Sequence, residues 1–175
     1  MWMKQNNPTF GRILDLDSIS ESLGLKRGEI DGRFPVQEVS TGLPFIIVPL
    51  KSLESVKKAK VSKEVFFELI EDTEAKAVLI FCPETIHREN DLNVRVFVDY
   101  YGIPEDPATG SANGCLAGYL VKTRYFENDL IDIRVEQGYE IGRPSLLFLR
   151  ADKEGEVIHV SVGGMVVMVA RGELM

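Results

Sequence analysis

The sequence has few of the residues from which disulfide-rich and metal-binding proteins are built. Among its 175 residues are two cysteines and two histidines. Cys82 and Cys115 form no Cys-x-x-Cys pair, and no cluster of histidines accompanies them. Zinc sites need such spaced groups of ligands. We therefore expect neither a disulfide framework nor a metal site.

Long apolar runs are also missing. The longest, residues 43–50, is interrupted by proline, whereas a membrane-spanning helix needs about 20 apolar residues. Residues 1–8 contain no apolar stretch suited to a secretory signal. The expectations are no membrane association and a cytoplasmic location.

Basic clusters are scarce as well. The formal net charge is −7, from 20 basic and 27 acidic side chains. The only basic cluster, residues 57–60, is interpreted as a solvated helix end. A nucleic-acid groove needs clustered lysine and arginine to displace counterions from phosphates. No nucleic-acid partner is expected.

What is present is the composition of an ordinary globular protein, 45% hydrophobic and 27% charged. Local patterns predict short helices over 17–24, with Asp17 as N-cap, and over 52–58 and 62–70, each opened by a serine. Alternating or continuous apolar segments between turn residues predict strands. The predicted strands are 36–40, 43–48, 77–81, 94–98, 131–137, 145–150, 157–162 and 165–171.

One predicted helix, residues 111–122, differs from the others. Apolar and small residues cover nearly its whole circumference, and a helix that is apolar all round is buried on all sides. Small residues let strands approach its axis closely. The sequence therefore predicts a single α+β domain over 1–175, with a strongly curved, barrel-like sheet wrapped around a central buried helix.

The segment that precedes this helix, residues 104–114 (PEDPATGSANG), carries the strongest chemical signal. Pro107 biases Asp106 toward extended geometry, and Gly110 permits close backbone approaches. Ser111 falls where a capping hydroxyl belongs. The first turn of a helix offers unpaired N–H groups and a positive dipole end, which bind a carboxylate or phosphate. Asp106, partly desolvated beside it, could move protons to or from a substrate.

A simpler interpretation of the same residues stays open. Asp-Pro followed by Thr-Gly-Ser is also typical of a plain strand-to-helix turn in which aspartate or threonine only caps the helix. Residues 110–114 are not a phosphate-binding P-loop, because no Lys-Ser/Thr pair follows.

Four other residues with reactive side chains receive a structural interpretation. Cys115, within the buried helix, and Cys82, at the end of an apolar strand, are interpreted as core residues rather than nucleophiles. His87 and His159 have no partner at ligand spacing and are interpreted as structural or surface residues. Two further segments are interpreted as candidate hairpin turns: 136–138 and 142–145.

Residues 106–114 (DPATGSANG), preceded by 95–97 (RVF), resemble the signature of the phenazine-biosynthesis PhzF-like isomerases. The resemblance covers nearly the whole chain. It implies a diaminopimelate-epimerase-like fold, in which each of two lobes wraps a curved sheet around a central helix. The other matching segments, in the same order, are 39–43, 136–138, 142–145 and 162–164.

The resemblance also implies a chemistry. PhzF-like proteins move a proton between positions of a small carboxylate-bearing substrate without a cofactor. Carried over to this sequence, Asp106 and Ser111 become the expected catalytic residues, and Thr109, Gly110, Ser111 and Ala112 the expected substrate-binding residues. Within this set Thr109 shapes the turn, and Gly110 and Ser111 hold the substrate carboxylate.

The resemblance further implies that the family's first lobe, which supplies the principal acid/base glutamate and a helping histidine, is absent from this chain. The chain would then hold one wall of the active site, with Tyr100 and Tyr101 as nearby aromatic residues. Uncovered apolar surface predicts a partner, either a separate first-lobe chain or a second copy in a homodimer. Two functions remain open: an isomerase half-site, or a non-catalytic carboxylate-binding or assembly module.

Overall fold

A computed structural model describes residues 1–173 of the chain. Within this range it contains four α-helices and ten strands. The helices are α1 (Leu16–Ser22), α2 (Leu53–Lys58), α3 (Lys63–Leu69) and α4 (Gly110–Lys122). The strands are β1 (Trp2–Lys4), β2 (Thr9–Ile13), β3 (Gln37–Ser40), β4 (Pro44–Pro49), β5 (Val78–Cys82), β6 (Leu92–Val98), β7 (Ile103–Asp106), β8 (Leu130–Gln137), β9 (Ser145–Glu154) and β10 (Val157–Gly164).

All ten strands belong to one sheet in the order β1-β10-β9-β8-β6-β5-β4-β3-β2, with β7 also paired to β6. Most neighbours are antiparallel, and the two parallel pairs are β4 with β5 and β6 with β8. The sheet curls around α4, which confirms the predicted α+β class and its curved, barrel-like sheet around a central helix.

Helix α4 is the centre of the concave side of the sheet. Every residue from Ala112 to Val121 is buried. Its small residues allow the close approach: a Cβ added at Gly118 would lie 2.7 Å from the ring of Pro8. The apolar residues that surround the helix come from β3 to β6 and β8 to β10. The prediction from the all-round apolar pattern is confirmed.

A second core lies on the convex side, where α1, α2 and α3 cover the central strands. Strand β4 contributes to both cores, because successive strand residues point to opposite faces. Phe45 and Ile47 face α4, whereas Ile46 and Val48 face the outer helices. This double burial explains why β4 appears in the sequence as a continuous apolar run.

The N-cap prediction for α1 is wrong by two residues. Asp15, not Asp17, is the N-cap, and its Oδ2 accepts hydrogen bonds at 3.0 Å from the backbone N–H groups of Asp17 and Ser18. Asp17 instead pairs with Arg27 at 2.7 Å. Ser52 caps α2 as predicted, accepting from the N–H of Ser55 at 3.2 Å.

Ser62 is the N-cap of α3, but its side chain makes no capping hydrogen bond. Among the described residues no helix has the length and apolarity needed to cross a membrane.

The prediction of a last strand over residues 165–171 is also wrong. These residues have no regular structure, and Met165–Val169 are 63% to 93% exposed. Strand β10 already pairs with β9 on one side and β1 on the other, and it ends at Gly164. In the described part of the chain no further strand lies beside the segment, so its β-branched residues have nothing to pair with.

Candidate active site at the start of helix α4

The end of β7, the end of β8 and the start of α4 lie close together, because both strands end on the same edge of β6. Asp106, the last residue of β7, pairs with Val96 of β6, and Gln137, the last residue of β8, pairs with Val94. Strand β7 runs antiparallel to β6 and β8 runs parallel to it. Their carboxyl ends therefore meet, and α4 begins four residues after Asp106.

The start of α4 presents free backbone donors. Thr109 is the N-cap, with φ −91° and ψ 94°, and its carbonyl accepts the N–H of Asn113 at 3.1 Å. The amides of the three residues between them precede the first bond of the helix and have no acceptor in it. With the positive end of the helix dipole, they form a site for an anion. The three residues are Gly110, Ser111 and Ala112.

The predicted capping role of Ser111 is wrong. The helix begins at Gly110, so Ser111 is its second residue, and the N-cap position belongs to Thr109. The Thr109 hydroxyl does not cap the helix either, because it donates its hydrogen to Oδ2 of Asp106. The predicted extended geometry of Asp106 is confirmed, since this half-buried residue ends β7.

Gln137 is the residue at this site that sequence reasoning missed. Residues 136–138 are predicted to form a hairpin turn, but Glu136 and Gln137 are the last residues of β8, in agreement with the strand predicted over 131–137, and both side chains are fully buried. The Gln137 amide contacts Asp106, Thr109 and Asn113. The sequence does contain a signal for this burial. Two adjacent polar residues end a strand whose apolar residues alternate, and because successive side chains face opposite sides of a sheet, one of the two must face the core.

Gly138 continues this support. Its φ of +82° is a left-handed conformation that favours glycine. A Cβ at this position would lie 2.3 Å from the carbonyl oxygen of Arg143 and 2.8 Å from that of Pro107. The turn that carries Pro107 thus packs directly on the backbone that follows β8.

Glu136 organises a different segment. Burial opposes its ionisation, but donors from the Asn90 side chain, the Ile86 and His87 backbone and the Asn93 side chain together lower its pKa. The four distances are 2.7 to 3.1 Å. The carboxylate therefore fixes the loop between β5 and β6, in which the imidazole of His87 is exposed.

A cavity of about 700 Å³ opens at the start of α4. Gly110 and Ser111 line it together with the apolar side chains of Trp2, Leu147 and Val162. No charged side chain lines it among the described residues. The other predicted site residues, Asp106, Thr109 and Ala112, are not in the cavity wall: Thr109 and Ala112 adjoin these lining residues along the chain, and Asp106 precedes the lining residue Ala108 by two positions.

Trp2 is fixed in the cavity wall by contacts on its ring. A Cβ at Gly163 would lie 2.9 Å from the indole, so the ring packs against the bare backbone of β10. The guanidinium of Arg150 lies 4.1 Å from a ring centroid, which is within cation–π range. The indole is still 41% exposed, so it can meet a ligand.

Tyr100 and Tyr101 are not next to the site. They lie in the turn before β7, and Asp106 lies at the other end of that strand. Tyr100 packs on Phe67 of α3, with ring centroids 6.4 Å apart. Tyr100 and Tyr101 are close to Asp106 in the sequence, but the length of β7 separates them from it in space.

The two cysteines are core residues. Both are free and buried. Burial raises the pKa of Cys82 to about 12 and also raises that of Cys115. Because the thiolate is the nucleophilic form, neither is suited to nucleophilic catalysis at neutral pH. His159 is partly exposed while its neighbour Val160 is buried, as predicted.

The fold and the site define a class: an α+β domain in which an anion-binding helix end opens into an apolar cavity beside a half-buried carboxyl group. The phenazine biosynthesis-like protein family model matches residues 1–172. The chain belongs to this family.

Known relatives carry isomerase names. An uncharacterized isomerase of Bacillus subtilis is 32% identical over 167 residues, covering 94% of this chain and 56% of that protein. The trans-2,3-dihydro-3-hydroxyanthranilate isomerase of Pseudomonas aeruginosa is 31% identical over 163 residues, covering 93% and 54%. The chain thus spans little more than half the length of these relatives.

Solved structures agree with the fold. The phenazine biosynthesis protein of the PhzF family from Bacillus anthracis superimposes with a TM-score of 0.83 at 27% identity, covering 93% of this chain and 56% of that one. A predicted epimerase from Pseudomonas aeruginosa gives a TM-score of 0.73 at 29% identity. The chain has the fold of one part of these longer proteins.

Proposed function

We propose that this chain supplies one wall of the active site of a PhzF-like isomerase, which moves a proton between positions of a small carboxylic acid. The observation that carries the proposal is the position of Asp106. Its carboxyl group is hydrogen-bonded to Thr109, the N-cap of α4, while Gly110 and Ser111, the first two residues of that helix, line the cavity. A proton-handling group and a carboxylate-binding site therefore lie within one turn of chain.

The proposed roles follow from this geometry. The amides of Gly110 and Ser111, the two residues of the first helical turn that line the cavity, bind the substrate carboxylate, and the dipole of α4 favours its negative charge. The apolar walls hold the body of the substrate. Asp106 assists as a proton carrier while one C–H bond of the substrate breaks and another forms, and the Ser111 side chain contacts the reacting acid. Such a reaction needs acid and base groups but no cofactor.

The other wall is proposed to come from a first lobe that these 175 residues do not include. The cavity is open, and Met1, Met3 and Met165 on its rim are 68% to 83% exposed. Exposed apolar surface of this kind is typical of an interface. The share of the relatives' length that the chain spans supports the same proposal.

Solvent-deuterium exchange tests the catalytic role. This chain is mixed in D₂O with the part of the Bacillus subtilis relative that it does not match, and trans-2,3-dihydro-3-hydroxyanthranilate is added as the test acid. The proposal predicts deuterium incorporation, measured by NMR, that is lost in Asp106→Asn. The matched control Asp129→Asn, at an exposed aspartate, should retain it. Exchange that is unchanged by Asp106→Asn would refute the role of Asp106.

A non-catalytic carboxylate-binding module is the alternative. The observation that favours it is that the helix end and most of the cavity belong to this one lobe. This alternative predicts saturable carboxylate binding with no deuterium exchange in the mixture, so the same samples decide between the two functions.

A further inference from the structure

The side chain of Gln137 uses all of its hydrogen-bonding capacity on one short segment. Its Nε2 donates to the carbonyl oxygen of Asp106 at 2.7 Å and to Oγ1 of Thr109 at 3.0 Å. Its Oε1 accepts from the N–H of Thr109 at 3.2 Å and from Nδ2 of Asn113 at 2.8 Å. A primary amide has two donor hydrogens and two acceptor lone pairs, so all four positions are filled.

The backbone fixes the orientation of this amide. If its oxygen and nitrogen were exchanged, the oxygen would face the carbonyl of Asp106, and the NH₂ group would face the N–H of Thr109. Neither backbone group can change its role as acceptor or donor. Because the side chain is fully buried, water cannot replace the lost partners. The observed orientation is therefore the one that the site permits.

This orientation determines where the Thr109 hydroxyl points. Oγ1 accepts a hydrogen from Nε2 of Gln137, and its own single hydrogen goes to Oδ2 of Asp106. The order of donation is therefore from Gln137 to Thr109 to Asp106. The carboxylate receives a hydrogen bond because the amide two steps away is a donor.

We propose that Gln137 is the positioning residue of this site: it directs the Thr109 hydroxyl onto the Asp106 carboxylate and ties the end of β7 to the start of α4. Placing this in an active site rests on the proposed function, but the hydrogen-bond relay does not. The neighbouring carboxylate, Glu105, is bound by Arg95 in a buried ion pair at 2.7 Å, and successive strand residues face opposite sides. Because the Gln137 side chain is fully buried, it acts through Thr109 without touching the substrate.

A double-mutant cycle on the full chain tests the relay, with hydrogen bonding to Asp106 followed at neutral pH by the NMR chemical shift of its carboxyl carbon. Gln137→Glu keeps an acceptor for the Thr109 amide but replaces the donor nitrogen with oxygen, which draws the Thr109 hydroxyl away from Asp106. We expect the Asp106 carboxyl signal to move, because the carboxylate loses the Thr109 donor and gains a negative neighbour. In the Thr109→Val background, only the effect of the added charge should remain, so the signal should move clearly less.

Equal changes of the signal in the two backgrounds would mean charge alone and would overturn the relay. Glu136→Gln is the matched control: it lies next to Gln137, is equally buried and binds the other loop, so it should leave the Asp106 carboxyl signal in place. If Gln137→Glu does not fold, Gln137→Met replaces it. Its neutral side chain releases the Thr109 hydroxyl to other acceptors, so the signal should still move, and an unchanged signal would contradict the proposal.

This measurement is independent of the proposed function. The NMR cycle uses the free protein and needs neither substrate nor the other lobe, whereas deuterium exchange needs both. An intact relay without exchange would refute the isomerase alone. Exchange in a protein without coupling between Gln137 and Thr109 would refute the relay alone.

Discussion

Glu136 and Gln137 are neighbours in sequence that fix different segments of the chain from the end of β8. The carboxylate of Glu136 accepts three hydrogen bonds from the loop before β6 and one from Asn93 in β6, and the amide of Gln137 forms three with residues 106–109 and one with Asn113 in α4. A buried polar group that loses its partner costs about 1–3 kcal/mol. Because breaking these hydrogen bonds costs free energy, the two side chains hold both segments in their observed conformations.

At this scale we predict that Glu136→Gln destabilises the protein. The amide that replaces the carboxylate has one oxygen, so its NH₂ group faces two of the four donors. The free energy of unfolding at neutral pH, measured by urea denaturation, should fall by about 2–3 kcal/mol.

The loss should depend on pH. The folded protein lowers the pKa of Glu136 below its ordinary value of 4.5, so the carboxylate stabilises the fold above that value. The stabilisation is lost as the pH falls through the folded-state pKa. The difference between wild type and Glu136→Gln should therefore shrink below pH 4.5. A difference that stayed constant down to acid unfolding would contradict the assigned hydrogen bonds.

At the scale of elements, α4 shows how far the sequence predicts the fold. Its apolar circumference predicts a central helix, and its starting motif predicts the candidate site, because both signals are local. The position of Gln137 could not be predicted in this way, since it is 28 residues from Thr109 and meets it only because β7 and β8 end on the same edge of β6. The error over residues 165–171 has the opposite origin: local strand propensity was present, but no pairing strand.

The glycines of α4 give a prediction for this element. In Gly118→Ala the new Cβ would lie 2.7 Å from the rigid ring of Pro8, so we expect a loss of about 1–3 kcal/mol from overpacking. Gly110→Ala is the control in the same helix, because no atom lies within 4 Å of its Cβ. Its thermal unfolding temperature should not fall. Equal losses in the two variants would mean that the close packing of α4 on Pro8 is unimportant.

The molecule is built on one curved sheet that wraps around α4 on its concave side. Three short helices cover its convex side, and an apolar cavity opens at the start of α4. The cavity rim continues into the exposed apolar residues after β10. Exposed apolar surface of this kind is typical of an interface, which agrees with the proposal that a further lobe covers this end. The proposed function depends on this end binding small carboxylates.

The fluorescence of Trp2, the only tryptophan of the chain, can detect this binding, because its partly exposed indole lines the cavity. The purified chain is titrated with benzoate and, in parallel, with benzamide, which has the same ring but no charge. We expect a saturable change with benzoate, little change with benzamide, and a weaker benzoate response in Gly110→Val, whose side chain projects into open space at the cavity wall. A response that was absent, or equal for the two ligands, would contradict the proposed binding.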